Sequence, residues 1–195
     1  PRPYAATGVV ADLAVFGFFG VMAVAGTAAV QGSGVPEAAW WAGAALGLLA
    51  VSVLEANNLR DLATDRAAGR HTVVVRLGDA RARLLYAAVI VSGAVVLPAV
   101  GVVVRQLPLA ALLTLWAIPA LVAPMRLVAD RSLTGIGLAP LLPLSARLHL
   151  ASGVMLALGL IAGSAHGAPA LVGLVCGFAL AAGLAAADFL PERRS

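Results

Sequence analysis

Six apolar stretches, each long enough to cross a lipid bilayer, constrain this chain more than any other feature of its sequence. They lie near residues 9–31, 38–56, 80–104, 108–128, 146–165 and 168–190. A helix needs roughly 20 apolar residues to cross the hydrocarbon core, and its backbone polar groups are then satisfied internally. The sequence therefore predicts an all-α fold, a polytopic transmembrane helix bundle of about six spans, forming one domain over residues 1–195.

Composition excludes the ordinary soluble classes. The chain is 62% hydrophobic and 11% charged, whereas soluble domains average about 45–50% apolar and about 25% charged residues. The sequence pI near 10.6 would suit a nucleic-acid-binding protein. However, all thirteen basic residues are arginines, and nearly all of them lie between the apolar stretches. This pattern is typical of membrane topology and predicts a lipid bilayer, and no nucleic acid, as the partner.

The arginines also predict the orientation in the membrane. If the loop at 57–79 lies in the cytoplasm, twelve arginines fall on that side and only Arg105 on the other. Cytoplasmic loops carry such an excess, so we expect a multi-pass protein of the cell membrane with both chain ends in the cytoplasm. Residues 130–145, with Pro140 and Pro143, read as a further cytoplasmic loop. Because the chain starts at Pro1 without a methionine, we expect it to be the C-terminal portion of a longer protein.

One strongly polar stretch interrupts the apolar pattern. Residues 57–78 read NNLRDLATDRAAGRHTVVVRLG, and charges at the mouth of a membrane helix are costly without a function. No glycine or proline lies between Gly47 and Gly69, so the second helix is expected to continue beyond the membrane surface. At ~100° per residue, Asn58, Asp61 and Asp65 then fall within about 60° on one helix face. Both carboxylates would point into the same space.

These residue types suit the binding of a metal and a diphosphate. Mg²⁺ prefers one or two carboxylates together with phosphate oxygens and water, and arginines offer forked donors to phosphate oxygens. The stretch is therefore a candidate active site. Two alternatives remain at this point: a solvated loop whose arginines only fix the orientation, or a gate in a non-catalytic polytopic transporter.

The polar stretch resembles a family motif. NNLRDLATDRAAGR followed by VVVRLG is similar to the second aspartate-rich motif of the UbiA-type membrane prenyltransferases. PRPYAATG, FGFFGVMAVAGT and LLPLSARLHLASGVMLALGL are similar, in the same order, to the branch of that family that acts on 1,4-dihydroxy-2-naphthoate in menaquinone biosynthesis. The resemblance covers about residues 1–163.

The resemblance implies a helical fold in which two aspartate-rich motifs face a cytoplasmic cavity and hold Mg²⁺ with a polyprenyl diphosphate. The reaction would move the polyprenyl group to 1,4-dihydroxy-2-naphthoate with loss of CO₂ and diphosphate, giving demethylmenaquinone. Other acceptors, 4-hydroxybenzoate or homogentisate, stay open. The implied residues are the metal ligands Asp61 and Asp65, which with Asn58 form the catalytic set, and the substrate-binding residues Asn57, Arg60, Arg66, Arg70 and Arg2.

The chain departs from the family in several places. The first aspartate-rich motif and the first four spans are missing, so we expect half of the metal site and no activity from the isolated chain. The stretch at 168–190 lies beyond the usual end of the family. Among weaker candidates, Glu55 is expected to hydrogen-bond within the cavity, Phe16 and Phe19 to line a prenyl tunnel, and His149 to lie at the membrane interface.

Overall fold

The fold is a bundle of long apolar helices, as the sequence predicts. The computed structural model describes residues 8–32 and 34–164, and within these ranges it contains helices and no strand. Five helices of the described part are long and apolar enough to cross a membrane. The sixth predicted span, at 168–190, lies outside the described residues. In chain order the helices are α1 (Gly8–Gln31), α2 (Glu37–Arg60), the short α3 (Leu62–Ala67) and α4 (Val73–Leu77), α5 (Asp79–Val103), α6 (Leu109–Ala129) and α7 (Leu141–Ser164).

Three of the long helices contain irregular stretches. α1 is π-helical over Phe16–Met22, and α5 is π-helical over Ser92–Val96, just before Pro98. α6 follows Pro108 and starts as a 3₁₀-helix over Leu109–Ala117. Proline removes a backbone donor and crowds the turn before it. Pro98 acts in this way on the irregular stretch of α5, and Pro119 on the end of the 3₁₀ stretch of α6.

The predicted loop at 130–145 is wrong in its second half. A 3₁₀ turn over Gly135–Leu138 is followed by α7, which begins at Leu141. The first four N–H groups of a helix have no partner within the helix. Pro143 in the first turn and Pro140 before it therefore cost no hydrogen bond, and the two prolines mark the start of a helix.

The second helix is the centre of the bundle. In the most apolar segment of α2, half of the residues are buried, whereas only 11% are buried in that of α1. α2 packs against α1, α5 and α7. Its buried face carries small residues, including Ala42, Ala45 and Ala50, with Leu49 fully buried among them. The short side chains allow three helices to approach one helix closely.

Glycines bring the α1 and α2 backbones into direct contact. A Cβ atom added to Gly20 would clash with the Cα atom of Gly47 and would lie 2.5 Å from the carbonyl oxygen of Gly43. On the α5 side, a Cβ atom at Gly93 would lie 2.8 Å from the carbonyl oxygen of Ala45. Close packing of this kind fixes how each neighbour sits along α2.

A buried arginine joins α5 to the connection between α6 and α7. Arg83 forms an ion pair with Asp79 at 2.9 Å, and its side chain is only 4% exposed. Its guanidinium also donates to the carbonyl oxygens of Val128, Asp130 and Leu133. The α6–α7 connection therefore lies at the same end of the bundle as the start of α5.

Replacing Gly20 with alanine should destabilise the bundle, because the added methyl group meets the backbone of α2. Overpacking of this kind costs about 1–3 kcal/mol. Thermal unfolding in detergent, followed by circular dichroism, measures the effect. Gly17→Ala is the matched control, since nothing lies within 4 Å of a Cβ atom at Gly17. Equal melting temperatures for the two variants would contradict the proposed crossing.

Arg83→Met should also destabilise the protein, by at least about 2 kcal/mol, since Asp79 loses its partner and buried carbonyl groups lose a donor. Arg81→Met, at an exposed position of the same helix, should change stability by less than about 0.5 kcal/mol. Denaturant titration of both variants in the same detergent provides the comparison. If Arg83→Met loses no more stability than Arg81→Met, the contacts of Arg83 contribute nothing to stability.

Candidate active site

The polar loop, residues 57–79, begins as a nearly continuous extension of α2. α2 ends at Arg60, Asp61 takes a non-helical conformation (φ −93°, ψ 8°), and α3 starts at Leu62. The Asp61 N–H still donates to Asn57 O at 3.0 Å, and the Asp65 N–H donates to Asp61 O at 2.8 Å. The expected continuation therefore holds with one kink at Asp61, and it ends before Gly69, whose φ is +68°.

Asp61 is held by its neighbour in the sequence. Arg60 Nε and Nη2 donate to the two oxygens of the Asp61 carboxylate, each at 2.7 Å. Arg60 also donates to Asn57 Oδ1 at 2.8 Å, and Asn57 Nδ2 lies 3.4 Å from Asp61 Oδ2. The hydrogen bonds from Arg60 lower the pKa of Asp61, against partial burial, and the charges of Arg60 and Arg70 add to the effect. Asp61 is therefore ionised at neutral pH.

Asp65 has a different arginine partner. Its side chain is 6% exposed and accepts from Arg70 Nη1 at 3.0 Å, while the Arg70 side chain is 61% exposed. The backbone N–H of Arg70 also donates to Asp65 O at 2.9 Å. Because the charge of Arg70 also acts on Asp61, this guanidinium lies within electrostatic reach of both carboxylates. It faces the solvent side of the loop.

The other predicted site residues lie in different surroundings. Asn58 is buried, and its Nδ2 donates to Glu55 Oε1 at 3.5 Å. Arg66 is exposed and forms no ion pair with the described residues. Arg2 lies outside the described residues. The structure thus brings together Asn57, Arg60, Asp61, Asp65 and Arg70 and leaves Arg66 apart.

Sequence reasoning missed a second acidic contact beside the motif. The carboxyl of Asp12, in α1, lies within hydrogen-bonding reach of the carboxyl of Glu55 in α2. Glu55 is fully buried, and Asp12 Oδ1 and Glu55 Oε2 have no hydrogen-bond partner in the described part of the chain. One feature of the sequence could have indicated this contact: Asp12 is a lone aspartate inside an apolar stretch, and such a residue is a functional candidate in a membrane helix. The predicted hydrogen bonding of Glu55 is confirmed through Asn58.

The far half of the polar loop is fixed to α1. Thr72 Oγ1 caps α4 by accepting from the Val75 N–H at 3.2 Å. The Gly8 N–H donates to His71 O at 3.1 Å, and a Cβ atom on Gly8 would clash with Val73. The loop therefore folds back onto the start of α1.

An apolar cavity of about 770 Å³ lies between α1, α2 and α7. Phe19, Leu46, Leu54 and Val154 are among its lining residues, and His149 has the one polar side chain among the described residues that line it. Phe19 therefore lines an apolar cavity, while Phe16 packs against Gly47 and does not. His149 faces this cavity between α1, α2 and α7, and its interfacial position stays a prediction.

The residues of the polar loop fit a metal ion that is shared with a ligand. Within the described residues, no group of three or more His, Cys, Asp or Glu side chains is placed to hold a metal. A closed centre made of protein ligands alone is therefore absent from this part of the chain. Mg²⁺ takes two carboxylates when phosphate oxygens and water complete its shell, and Asp61 and Asp65 are the carboxylates that would hold it.

Comparison with known proteins gives a consistent result. The model of the UbiA prenyltransferase family matches residues 1–139. The 1,4-dihydroxy-2-naphthoate octaprenyltransferase of Mycobacterium tuberculosis is 49% identical over 85 residues, which cover 44% of this chain and 29% of that protein. The enzyme of the same name from Mycobacterium leprae is 45% identical over 95 residues, which cover 47% of this chain and 31% of that protein. The one from Escherichia coli is 41% identical over 96 residues, which cover 49% of this chain and 31% of that protein. The matched segments thus span less than a third of each relative. No solved structure matches the chain.

Arg60→Gln should raise the pKa of Asp61 towards its ordinary value. The guanidinium stabilises the ionised carboxylate, so wild-type Asp61 takes up its proton only as the pH falls below the usual aspartate range. Infrared difference spectra over a pH titration follow the carboxylate, with Asp61→Asn identifying its band. Arg66→Gln is the control and should leave the midpoint unchanged. A midpoint that stays the same in Arg60→Gln would contradict the pairing.

Proposed function

Because the chain belongs to the UbiA prenyltransferase family, we propose that it transfers a polyprenyl group from polyprenyl diphosphate to 1,4-dihydroxy-2-naphthoate. The products are CO₂, diphosphate and the quinol form of demethylmenaquinone. The observation that carries this proposal is the pair Asp61 and Asp65 at the end of a membrane-spanning helix, each with its own arginine. The names of the relatives support the choice of acceptor.

The polar loop binds the diphosphate end of the donor in this proposal. Asp61 and Asp65 would hold Mg²⁺, which when bound neutralises the charge that develops on the leaving diphosphate. Arg60 and Arg70 present forked donors to the phosphate oxygens, and Arg70, with its exposed side chain, reaches the incoming substrate first. Asn57 keeps Arg60 in place through its side-chain oxygen.

The helices supply the apolar side of the reaction. The polyprenyl chain lies along apolar surfaces between the spans, where water is excluded. The prenyl carbon–oxygen bond breaks, and the electron pair leaves with the diphosphate. The ring carbon that bears the carboxylate attacks the prenyl carbon, and the carbon–carbon bond to the carboxylate then breaks to release CO₂ and restore the aromatic ring.

The location of the site follows the charge distribution. The start of α1, the polar loop and the α6–α7 connection lie at one end of the bundle. We place this end in the cytoplasm and the protein in the cell membrane, because cytoplasmic loops carry the excess of arginine. Both substrates would then reach the site from the cytoplasmic face.

Asp61→Asn and Asp65→Asn in the full-length protein should each lower prenyl transfer at least about 100-fold, because each removes a charged ligand that stabilises the transition state. The assay measures transfer of a radiolabelled polyprenyl group to 1,4-dihydroxy-2-naphthoate in membranes with Mg²⁺. Asp130→Asn is the control and should keep wild-type activity. The Asp130 carboxylate accepts hydrogen bonds from the backbone N–H and the hydroxyl of Ser132 in the α6–α7 connection, far from the motif in sequence.

The same membranes test the acceptor. Wild-type membranes supplied with 4-hydroxybenzoate or homogentisate should transfer at background rates, and CO₂ should be released with the naphthoate. Near-normal turnover in both aspartate variants would remove the proposed site. Faster transfer to another acceptor would keep the site and replace the proposed acceptor.

A further inference from the structure

Among the described residues that line the apolar cavity between α1, α2 and α7, only His149 has a polar side chain. It makes no hydrogen bond within the described residues, and it lies in the third turn of α7, which begins at Leu141. Its side chain is partly exposed and lies against apolar lining residues. A polar ring in apolar surroundings without a partner costs free energy. In a membrane bundle such a residue is a functional candidate by default, and the open partner position faces the cavity.

The packing of α7 on α2 gives the depth of His149. The two helices run in opposite directions, and a Cβ atom at Gly153 would lie 3.5 Å from Leu46 Cδ2. Four residues earlier in α7, His149 lies level with about Ala50. Asn58 is eight residues further along α2, about 12 Å at 1.5 Å per residue. His149 therefore lies in the half of the cavity that is nearer the polar loop.

The chemistry of the cavity lining around His149 indicates which ligand it binds. A polyprenyl chain contains no group that accepts or donates a strong hydrogen bond, so a histidine in its path gains nothing. A flat aromatic ring with a hydroxyl or carboxylate group would fill apolar space and also satisfy His149. Pockets for such ligands are mostly apolar with a few placed polar groups.

We propose that His149 binds a hydroxyl or carboxylate oxygen of the aromatic acceptor and helps to select it. The identity of the acceptor rests on the proposed function. In this arrangement the ring lies between His149 and the polar loop, and Phe19, Ala50 and Val154 contact its faces or edges. The reactive ring carbon then faces the diphosphate end of the donor.

His149→Leu should raise KM for 1,4-dihydroxy-2-naphthoate about tenfold, the effect of one lost hydrogen bond, and leave KM for polyprenyl diphosphate unchanged. His149→Gln, which keeps a donor and an acceptor, should recover most of the affinity. Ser152→Ala is the control. Ser152 is a buried polar residue of the same helix, has no hydrogen-bond partner among the described residues and does not line the cavity.

A second measurement separates this inference from the proposed function. Anaerobic fluorescence titration of the full-length protein with 1,4-dihydroxy-2-naphthoate alone reports binding without turnover. Weaker binding by His149→Leu, with recovery in His149→Gln, supports the inference even if the wild type transfers no prenyl group, in which case only the proposed function fails. Equal binding by wild type and His149→Leu overturns it. A higher KM for polyprenyl diphosphate alone also overturns the inference, because it would assign the cavity lining around His149 to the prenyl chain.

Discussion

The direct backbone contact between α1 and α2 is the constraint on which the rest of the structure depends. Gly20 of α1 rests on Gly43 and Gly47 of α2, with no side chain between them. Gly93 makes a similar approach from α5. Because α2 is held on two sides, it cannot slide along its axis without a clash. Its end, where Asn57 to Asp61 lie, is therefore fixed relative to both neighbours.

The polar loop that follows is held at separate points. The kink at Asp61 keeps the helical hydrogen bonds on either side of it, and the backbone bond from Gly8 to His71 ties the far half to α1. Arg83, at the start of α5, fixes the next connection at the same end of the bundle. Catalytic and binding groups act well only when their supports hold them in place, and these contacts supply that support.

The sequence predicted what depends on local pattern. Apolar length located the spans of the described residues, and the lack of glycine and proline after Gly47 predicted the continuation of α2 that carries Asp61 and Asp65. It could not predict contacts that depend on how helices cross. Asp12 meets Glu55, and His149 faces a cavity, only because α1 and α7 pack on α2 in one register. Pro143 was misread as part of a loop, since proline suits both a loop and the start of a helix.

The pairing of each motif aspartate with an arginine has a consequence for how ligands would bind. Arg60 with Asp61, and Arg70 with Asp65, form two units that carry no net charge. A cation that takes the carboxylates releases the guanidinium groups, and an anion that takes the guanidinium groups releases the carboxylates. Binding of either ligand thereby raises the affinity for the other, and this coupling is reciprocal by thermodynamic necessity. A site of this kind favours a metal and a diphosphate arriving as one complex over either ion alone.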